Sequence, residues 1–184
     1  MISKHLPPRG VTVWFTGLPC SGKTTLALKV NEALRHRGYS PEHLDGDVTR
    51  VYLAKGLGFS RADRDENIRR VGFVCSLLTR HGVVTTASFV SPYRAVRREI
   101  REMIGSFFEV YVKCPLEVCV ARDVKGMYRK ALAGEIPSFT GVSDPYEEPE
   151  APELVIESDR ETEADSVARI LLALETAGLL PPAP

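Results

Sequence analysis

The stretch from Gly17 to Thr24 constrains the fold more than any other part of this sequence. It reads GLPCSGKT, which matches the pattern G-x-x-x-x-G-K-[ST], and it lies between the apolar run VTVWFT at 11–16 and a helical pattern. Glycines in such a loop let consecutive backbone N–H groups point at an anion, and the following helix N-terminus adds about half a positive charge. The sequence therefore predicts a strand, a phosphate-binding loop and a helix, in that order.

This loop predicts contacts to a nucleoside triphosphate, which we expect to be ATP. Lys23 can reach the β- and γ-phosphates, and the Thr24 hydroxyl is placed to ligate Mg²⁺. Pro19 removes one backbone donor, but it does so early in the loop. The alternative is a glycine-rich turn that only connects a strand to a helix, and the flanking pattern disfavours it. The other expected nucleotide contacts are Gly17, Cys20, Ser21, Gly22 and Thr25.

Apolar, β-branched runs alternate with longer helical patterns along the chain. The runs lie at 11–16, 43–45, 82–90, 107–113 and 153–158. Strands of this kind form a parallel sheet covered on both faces, and ligands then bind beyond the carboxyl ends of the strands. A length of 184 residues fits one domain. We predict a single α/β domain over 1–184, a three-layer α/β/α sandwich of the P-loop NTP hydrolase type with a parallel central sheet.

Composition disfavours several other classes of protein. The formal net charge is +0, so nothing global indicates nucleic acid or a membrane surface as a partner. No apolar run approaches the ~20 residues of a membrane span, and the start MISKHLPPRG lacks the apolar segment of a signal peptide. The four cysteines form no CxxC pair, and three lie inside apolar runs. We therefore expect a reduced, cytoplasmic protein.

Two carboxylates, Asp45 and Asp47, follow the short second strand. Beside a phosphate-binding loop, such groups hold a Mg²⁺-bound water or act as a base toward an acceptor hydroxyl. The alternative is an Asp-Gly turn in which Asp47 caps the next helix. A GTPase places its metal-binding Asp after a later strand, where this chain reads ASFVSPY. The pattern therefore favours a kinase that acts on a small molecule.

Further motifs follow in a fixed order: DGDVTR, GLGFS, DRDENIRR, SPYR, PLEVCVARDVKGMYRKALAGEIPSFTG and DPYEEPEAPELVIES. Together with the loop they resemble the adenylylsulfate (APS) kinase family, over about residues 10 to 178. The resemblance implies that ATP, with Mg²⁺, phosphorylates the ribose 3′-hydroxyl of APS in sulfate assimilation. The products would be 3′-phosphoadenylyl sulfate (PAPS) and ADP. It also implies a free-standing kinase and a homodimer. The alternatives are a kinase of another nucleoside or sugar, and a non-catalytic nucleotide-binding regulator.

The same resemblance implies a site for APS. Phe59 would stack on the adenine, while Arg50, Arg64 and Asn67 would hold the phosphosulfate and ribose. A flat base with two anionic groups needs an aromatic face and arginine forks, so the chemistry of these residues agrees. The expected substrate contacts are Asp47, Arg50, Phe59, Arg64, Asn67, Val90, Ser91, Pro92, Lys125 and Phe139.

The expected catalytic residues are Lys23, Asp45, Ser91 and Lys125, and Arg122 is an expected nucleotide contact. The resemblance carries a proposed phosphoserine at Ser91. No base lies near Ser91 in the sequence, however, because Tyr93 and Arg94 are poor bases at neutral pH. We therefore predict direct transfer, with Asp45 near the 3′-hydroxyl and Ser91 orienting the substrate through its hydroxyl or its backbone.

Two further segments are rich in cations. The segment at about 122–146 combines lysines and arginines with glycines, which predicts a lid that closes over phosphates, the alternative being an irregular surface loop. The helical pattern RAVRREIR carries arginines at 94, 97, 98 and 101, interrupted by glutamates. We expect a solvated face there, with Arg94 as the exception because it is nearest the site.

Overall fold

The computed structural model describes residues 10–180, so the expectation about a leader at the start of the chain lies outside the described residues. Five parallel strands form one sheet in the order β2-β3-β1-β4-β5. The strands are β1 (Val11–Thr16), β2 (Glu42–Asp45), β3 (Val84–Ser88), β4 (Phe107–Lys113) and β5 (Leu154–Glu157). The helices are α1 (Lys23–His36), α2 (Gly46–Tyr52), α3 (Arg61–Arg80), α4 (Arg94–Ile104), α5 (Leu116–Arg122), α6 (Met127–Leu132) and α7 (Glu163–Thr176).

The central strand β1 is buried over its whole length because helices cover both of its faces. Val13 and Phe15 pack in a cluster with residues of α1 and α7. Trp14 points to the opposite face, where it packs with residues of α3 and α4. Alternate residues of a strand face opposite sides of the sheet, so these two clusters are the two interfaces of a three-layer sandwich. The predicted fold class is confirmed.

Helix α1 begins and ends where the sequence indicated. Gly22 caps its start with a positive φ of 98°. At its end, Gly38 has a φ of 83°, and the N–H of Tyr39 donates to the carbonyl of Leu34 at 3.1 Å. This is the glycine stop that terminates many helices. The expected inward face is also present, because Leu26, Val30 and Leu34 are buried.

The structure differs from the sequence prediction at several elements. Strand β3 is shorter than the predicted run at 82–90, the short helix α6 was not predicted, and a helix at α2 was considered only in the alternative for Asp45 and Asp47. Asp45, and not Asp47, caps α2, since its side chain accepts from the backbone N–H of Asp47 at 2.8 Å. In the described part of the chain, no helix is long and apolar enough to span a membrane.

Gly72 marks the closest approach of α3 to α4. A Cβ built on Gly72 would lie 2.5 Å from Cγ2 of Ile100. We expect Gly72→Ala to lower the free energy of unfolding by about 1–3 kcal/mol, because the overpacking outweighs the gain in helix propensity. Urea unfolding of Gly72→Ala, Ile100→Ala and the double variant measures this. If the changes in the free energy of unfolding in the double variant equal the sum of those in the single variants, the added methyl group at position 72 and Ile100 do not compete for space.

Candidate active site

The site lies where β1, β2 and β3 end, because these three strands are neighbours and parallel. The phosphate-binding loop follows β1 directly. Gly17 is required at its start, since a Cβ there would lie 2.4 Å from the carbonyl oxygen of Val112. Cys20 and Gly22 both have positive φ, 61° and 98°. The loop is therefore tightly curled, as an anion nest requires.

Neighbouring side chains hold the loop from outside. The Ser158 hydroxyl donates to the carbonyl of Ser21 at 2.7 Å. Arg122 donates to the carbonyls of Cys20, at 3.4 Å, and of Ser158, at 2.8 Å. These contacts occupy carbonyl oxygens of the loop and none of its N–H groups, so they leave its donors for phosphate. A direct contact of Arg122 with nucleotide stays a prediction.

Lys23 is buried at the centre of this loop, with 8% of its surface exposed. Its ammonium donates to the carbonyl of Leu18 at 2.6 Å. Burial lowers the pKa of Lys23 to about 8, against a smaller opposing effect of nearby cysteines and Asp45. A desolvated ammonium with one carbonyl partner is poised to exchange that partner for phosphate oxygens.

Asp45 joins the ends of three elements through hydrogen bonds. Its carboxylate accepts from the hydroxyls of Thr24, at 3.0 Å, and Ser88, at 3.2 Å, and from the N–H of Asp47. Partial burial opposes ionisation of Asp45, but these three hydrogen bonds outweigh it and lower its pKa. The group is therefore an anionic carboxylate beside two hydroxyl oxygens. That donor set suits Mg²⁺, which takes one or two carboxylates together with phosphates and water.

No group of three or more His, Cys, Asp or Glu side chains within residues 10–180 is arranged to hold a metal ion by itself. A metal at Thr24 and Asp45 therefore needs ligands from a bound nucleotide. This is how Mg²⁺ is usually bound in phosphoryl-transfer enzymes.

Ser91 is fixed in a buried, left-handed turn directly after β3. Its φ is 39° and it is 1% exposed. Its hydroxyl donates to Thr16 Oγ1 at 3.0 Å and accepts from the indole N–H of Trp14 at 3.1 Å. The hydroxyl is thus committed to the protein interior. The role of Ser91 in orienting a substrate, through its hydroxyl or its backbone, stays a prediction.

Phe59, which is exposed, and two half-buried arginines form a shelf between α2 and α3. The guanidinium of Arg50 lies 4.1 Å from the centre of the Phe59 ring, and that of Arg64 lies 5.8 Å from it. Phe59 is 56% exposed. An exposed aromatic ring flanked by cations can accept a purine base with attached anions. These three residues, which the sequence singled out, are brought together.

Asn67 and the segment at 138–144 adjoin this shelf. Asn67 is buried, and its side-chain oxygen has no hydrogen-bond partner among the described residues. Arg64 donates to Thr140 Oγ1 at 2.7 Å, to the carbonyl of Ser138, and to Asp144 at 3.3 Å. Arg64 therefore ties α3 to this segment. Arg64 and Asn67 therefore place a positive charge and an unpartnered acceptor oxygen beside the shelf.

The predicted lid packs against the phosphate-binding loop. Tyr128 is fully buried, and its hydroxyl donates to the carbonyl of Pro19 at 3.1 Å. The ring of Phe139 meets Tyr128 edge-on, with centroids 5.0 Å apart. Lys125 pairs with Asp47, and this hydrogen bond raises the pKa of Lys125. Both lid residues of the expected site thus lie close to it.

The helical arginines correct one expectation. Arg94 is 44% exposed and pairs with Glu150, whereas Arg97 is buried and lies 3.1 Å from Glu109. Arg97, not Arg94, is therefore the exception on the solvated face. Glu109 offered a signal for this, because it is a charged residue inside the apolar run FFEVYVK. Reasoning from the sequence missed Arg97, Glu109, Thr16 and Tyr146.

Comparison with known proteins adds independent evidence. The family model of adenylylsulphate kinase matches residues 9–157. The chain belongs to the adenylylsulphate kinase family. The adenylyl-sulfate kinase of Halothermothrix orenii is 54% identical over 172 residues, which are 94% of this chain and 93% of that protein.

Solved structures place the fold in the same family. The Mycobacterium tuberculosis APS kinase, in complex with AMPPNP and APS, is 43% identical, with a TM-score of 0.87 over 92% of this chain and 99% of that one. A gluconokinase from Sinorhizobium meliloti is 17% identical, with a TM-score of 0.59 over 92% of this chain and 94% of that one. The similarity to the gluconokinase shows the fold alone. Sequence identity therefore distinguishes APS kinases from other small-molecule kinases of this fold.

The lowered pKa of Lys23 predicts a pH-dependent affinity for nucleotide. Above about pH 8 the free protein loses the Lys23 ammonium, so Mg·ATP binding should take up a proton and weaken by up to about tenfold per pH unit. Calorimetry at about pH 9 in two buffers of different ionisation enthalpy measures the uptake. Lys23→Arg is the matched control, since arginine stays charged. Equal uptake in both proteins would contradict this assignment.

The same shift predicts how the stability of the free protein varies with pH. Between about pH 8 and the ordinary value of 10.5, the unfolded chain binds more protons at Lys23 than the folded protein does. The Lys23 contribution to the free energy of unfolding therefore rises with pH across that window. Urea unfolding of the wild type and of Lys23→Arg at several pH values isolates this contribution. The free energy of the wild type should rise relative to that of the variant.

Proposed function

We propose that this chain is an adenylyl-sulfate kinase that transfers the γ-phosphoryl group of ATP to the ribose 3′-hydroxyl of APS, giving PAPS and ADP. The observation that carries the proposal is that a short chain of contacts links the phosphate-binding loop to the shelf at Phe59. Asp45 contacts Thr24 of the phosphate-binding loop on one side and Asp47 on the other. Asp47 lies beside Lys125 and near Arg50, which covers the face of Phe59.

ATP and Mg²⁺ are the proposed cofactors. The loop N–H groups and Lys23 would bind the β- and γ-phosphates, and Thr24 would ligate the metal. When bound, Mg²⁺ neutralises charge on the phosphates as it develops. Lys23 and Lys125 would add positive charge near the transferred group. Phosphoryl transfer needs mainly such positioning and charge stabilisation.

Asp45 would receive the acceptor hydroxyl. Its carboxylate is ionised and held in place by three hydrogen bonds, so it can accept a hydrogen bond from the 3′-hydroxyl and then its proton. Its lowered pKa makes it a weak base. A weak base suffices, because phosphoryl transfer passes through a loose transition state. In that state the bond between the acceptor oxygen and phosphorus is little formed, so the hydroxyl proton is still only weakly acidified.

The arginine shelf would bind APS. Phe59 would stack on the adenine, while Arg50, Arg64 and Asn67 would bind its phosphosulfate and ribose, between the Val90–Pro92 turn and Phe139. The unpartnered oxygen of Asn67 supports this role, because it can accept from a ligand. The segment at 122–146 would act as a lid. We also keep the homodimer and the cytoplasmic location as proposals; four free cysteines support a reducing compartment.

The choice of acceptor tests the proposal most simply. We expect kcat/KM for APS to exceed that for AMP by about 10²-fold or more, because AMP leaves the cationic shelf without its second anion. ADP release coupled to an indicator enzyme, with APS, AMP and gluconate as acceptors, measures this. Gluconate is the control for a sugar kinase on the same fold. Comparable turnover with AMP or gluconate would overturn the assignment, and no turnover with any acceptor would favour a regulator.

Substitution of the two residues beside the acceptor separates direct transfer from a phosphoserine route. Asp45→Asn keeps the size of the side chain but removes its charge, and we expect kcat to fall by about 10²-fold or more. Ser91→Ala should retain substantial kcat. It should lower the free energy of unfolding by about 1–3 kcal/mol, because the buried indole N–H of Trp14 loses its acceptor. An inactive Ser91→Ala that still binds ATP and APS would contradict direct transfer.

A further inference from the structure

A buried arginine outside the expected site contacts two segments that the site depends on. Arg97, on α4, is 3% exposed. One end of its guanidinium donates to the carbonyl of Ser91, and the other donates to the carbonyl of Glu147 at 2.6 Å. Its Nε lies 3.1 Å from Glu109 on β4, in an ion contact without hydrogen-bond alignment. Arg97 therefore bridges two backbone segments that are distant in sequence.

The first segment is the turn at Ser91. Its backbone has a φ of 39°, a conformation that is strained for a residue with a side chain and persists only where its surroundings hold it. The hydroxyl contacts to Thr16 and Trp14 hold the side chain, and Arg97 holds the carbonyl. With its side chain and its carbonyl both fixed, the turn presents the remaining backbone of Val90 to Pro92 at the end of β3.

The second segment runs from Asp144 to Glu147. The N–H of Glu147 donates to the carbonyl of Pro92 at 2.8 Å, and the hydroxyl of Tyr146 lies 2.9 Å from Thr16 Oγ1. At the other end of the segment, Asp144 lies 3.3 Å from Arg64 of the shelf. Arg97 is thus two contacts away from Arg64 through this segment.

We propose that Arg97, held by Glu109, is a positioning residue for phosphoryl transfer. It fixes the Ser91 turn and the Asp144–Glu147 segment relative to one another, and so sets the distance between Asp45 at the strand ends and the shelf that holds the acceptor. This inference rests on the proposed function. This role requires the two donor ends of a guanidinium group, because each of the two segments contributes one carbonyl acceptor.

The chain supplies a matched control in Arg101. It lies one turn further along α4 and pairs with the same Glu109, at 3.2 Å, and with Glu153. It has no contact with Ser91 or Glu147 among the described hydrogen bonds and ion pairs. Arg101→Met therefore weakens the same ion cluster without touching either backbone carbonyl.

The test compares Arg97→Lys, Arg97→Met and Arg101→Met with the wild type, each at a temperature where it is fully folded. Lysine keeps the charge beside Glu109 but cannot bridge both carbonyls. We expect both Arg97 variants to lose about 10²-fold in kcat/KM for APS, since misplacement of about 1 Å has that effect. KM for ATP should change by less than about threefold. Arg101→Met should keep both parameters near the wild-type values.

The opposite results overturn the inference. They are an Arg97→Lys that keeps kcat/KM for APS within about threefold of the wild type, or an Arg101→Met that loses as much as Arg97→Met does. If Arg97→Met does not fold, Arg97→Lys alone decides. Failure of the proposed function is distinguishable, because it shows as a lack of APS turnover in the wild type. The variants are then compared on the acceptor that the wild type does use, with the same outcomes.

Discussion

The hydrogen-bonded junction at the ends of β1 and β3 is the constraint on which the site depends. Thr16, the last residue of β1, contacts the hydroxyls of Ser91 and Tyr146 and donates to the carbonyl of Val90 at 2.9 Å. Trp14 completes the junction through its indole N–H. The phosphate-binding loop starts directly after Thr16, and the acceptor side starts directly after β3. One buried junction therefore fixes the origin of both halves of the site.

The cations of the site are paired with oxygen atoms of the protein. Lys23 is bound to the carbonyl of Leu18, Arg64 to the segment at 138–144, and Lys125 to Asp47. The carbonyl partner of Lys23 is neutral and therefore weaker than a phosphate oxygen would be, whereas Asp47 is a charged partner of Lys125. Ligand binding can therefore proceed by exchange of partners, without bringing an unpaired charge into the interior. The formal net charge of +0 gives no sign of this local arrangement.

Much of the fold could be predicted from the sequence, because its strongest signals are local. The loop at Gly17 to Thr24 predicted β1 and α1. The alternation of apolar runs with helical patterns predicted the sandwich. Helix α2 was considered only as an alternative capped by Asp47, because Asp45 and Gly46 read as a turn, whereas Asp45 is its cap. Arginines at helical spacing read as a solvated face. Arg97 is buried because it pairs with Glu109 on β4. The spacing of residues within α4 cannot show that a partner lies on another element.

The central claim is that the phosphoryl group passes directly from ATP to the acceptor, because the junction commits the Ser91 hydroxyl to Trp14 and Thr16. The stereochemical course at phosphorus tests it most directly. ATP with a chiral, isotopically labelled γ-phosphoryl group would be turned over with APS, and the configuration of the transferred group determined. Direct in-line transfer predicts inversion. Net retention would reveal two successive transfers through an enzyme-bound phosphate, and it would contradict the account.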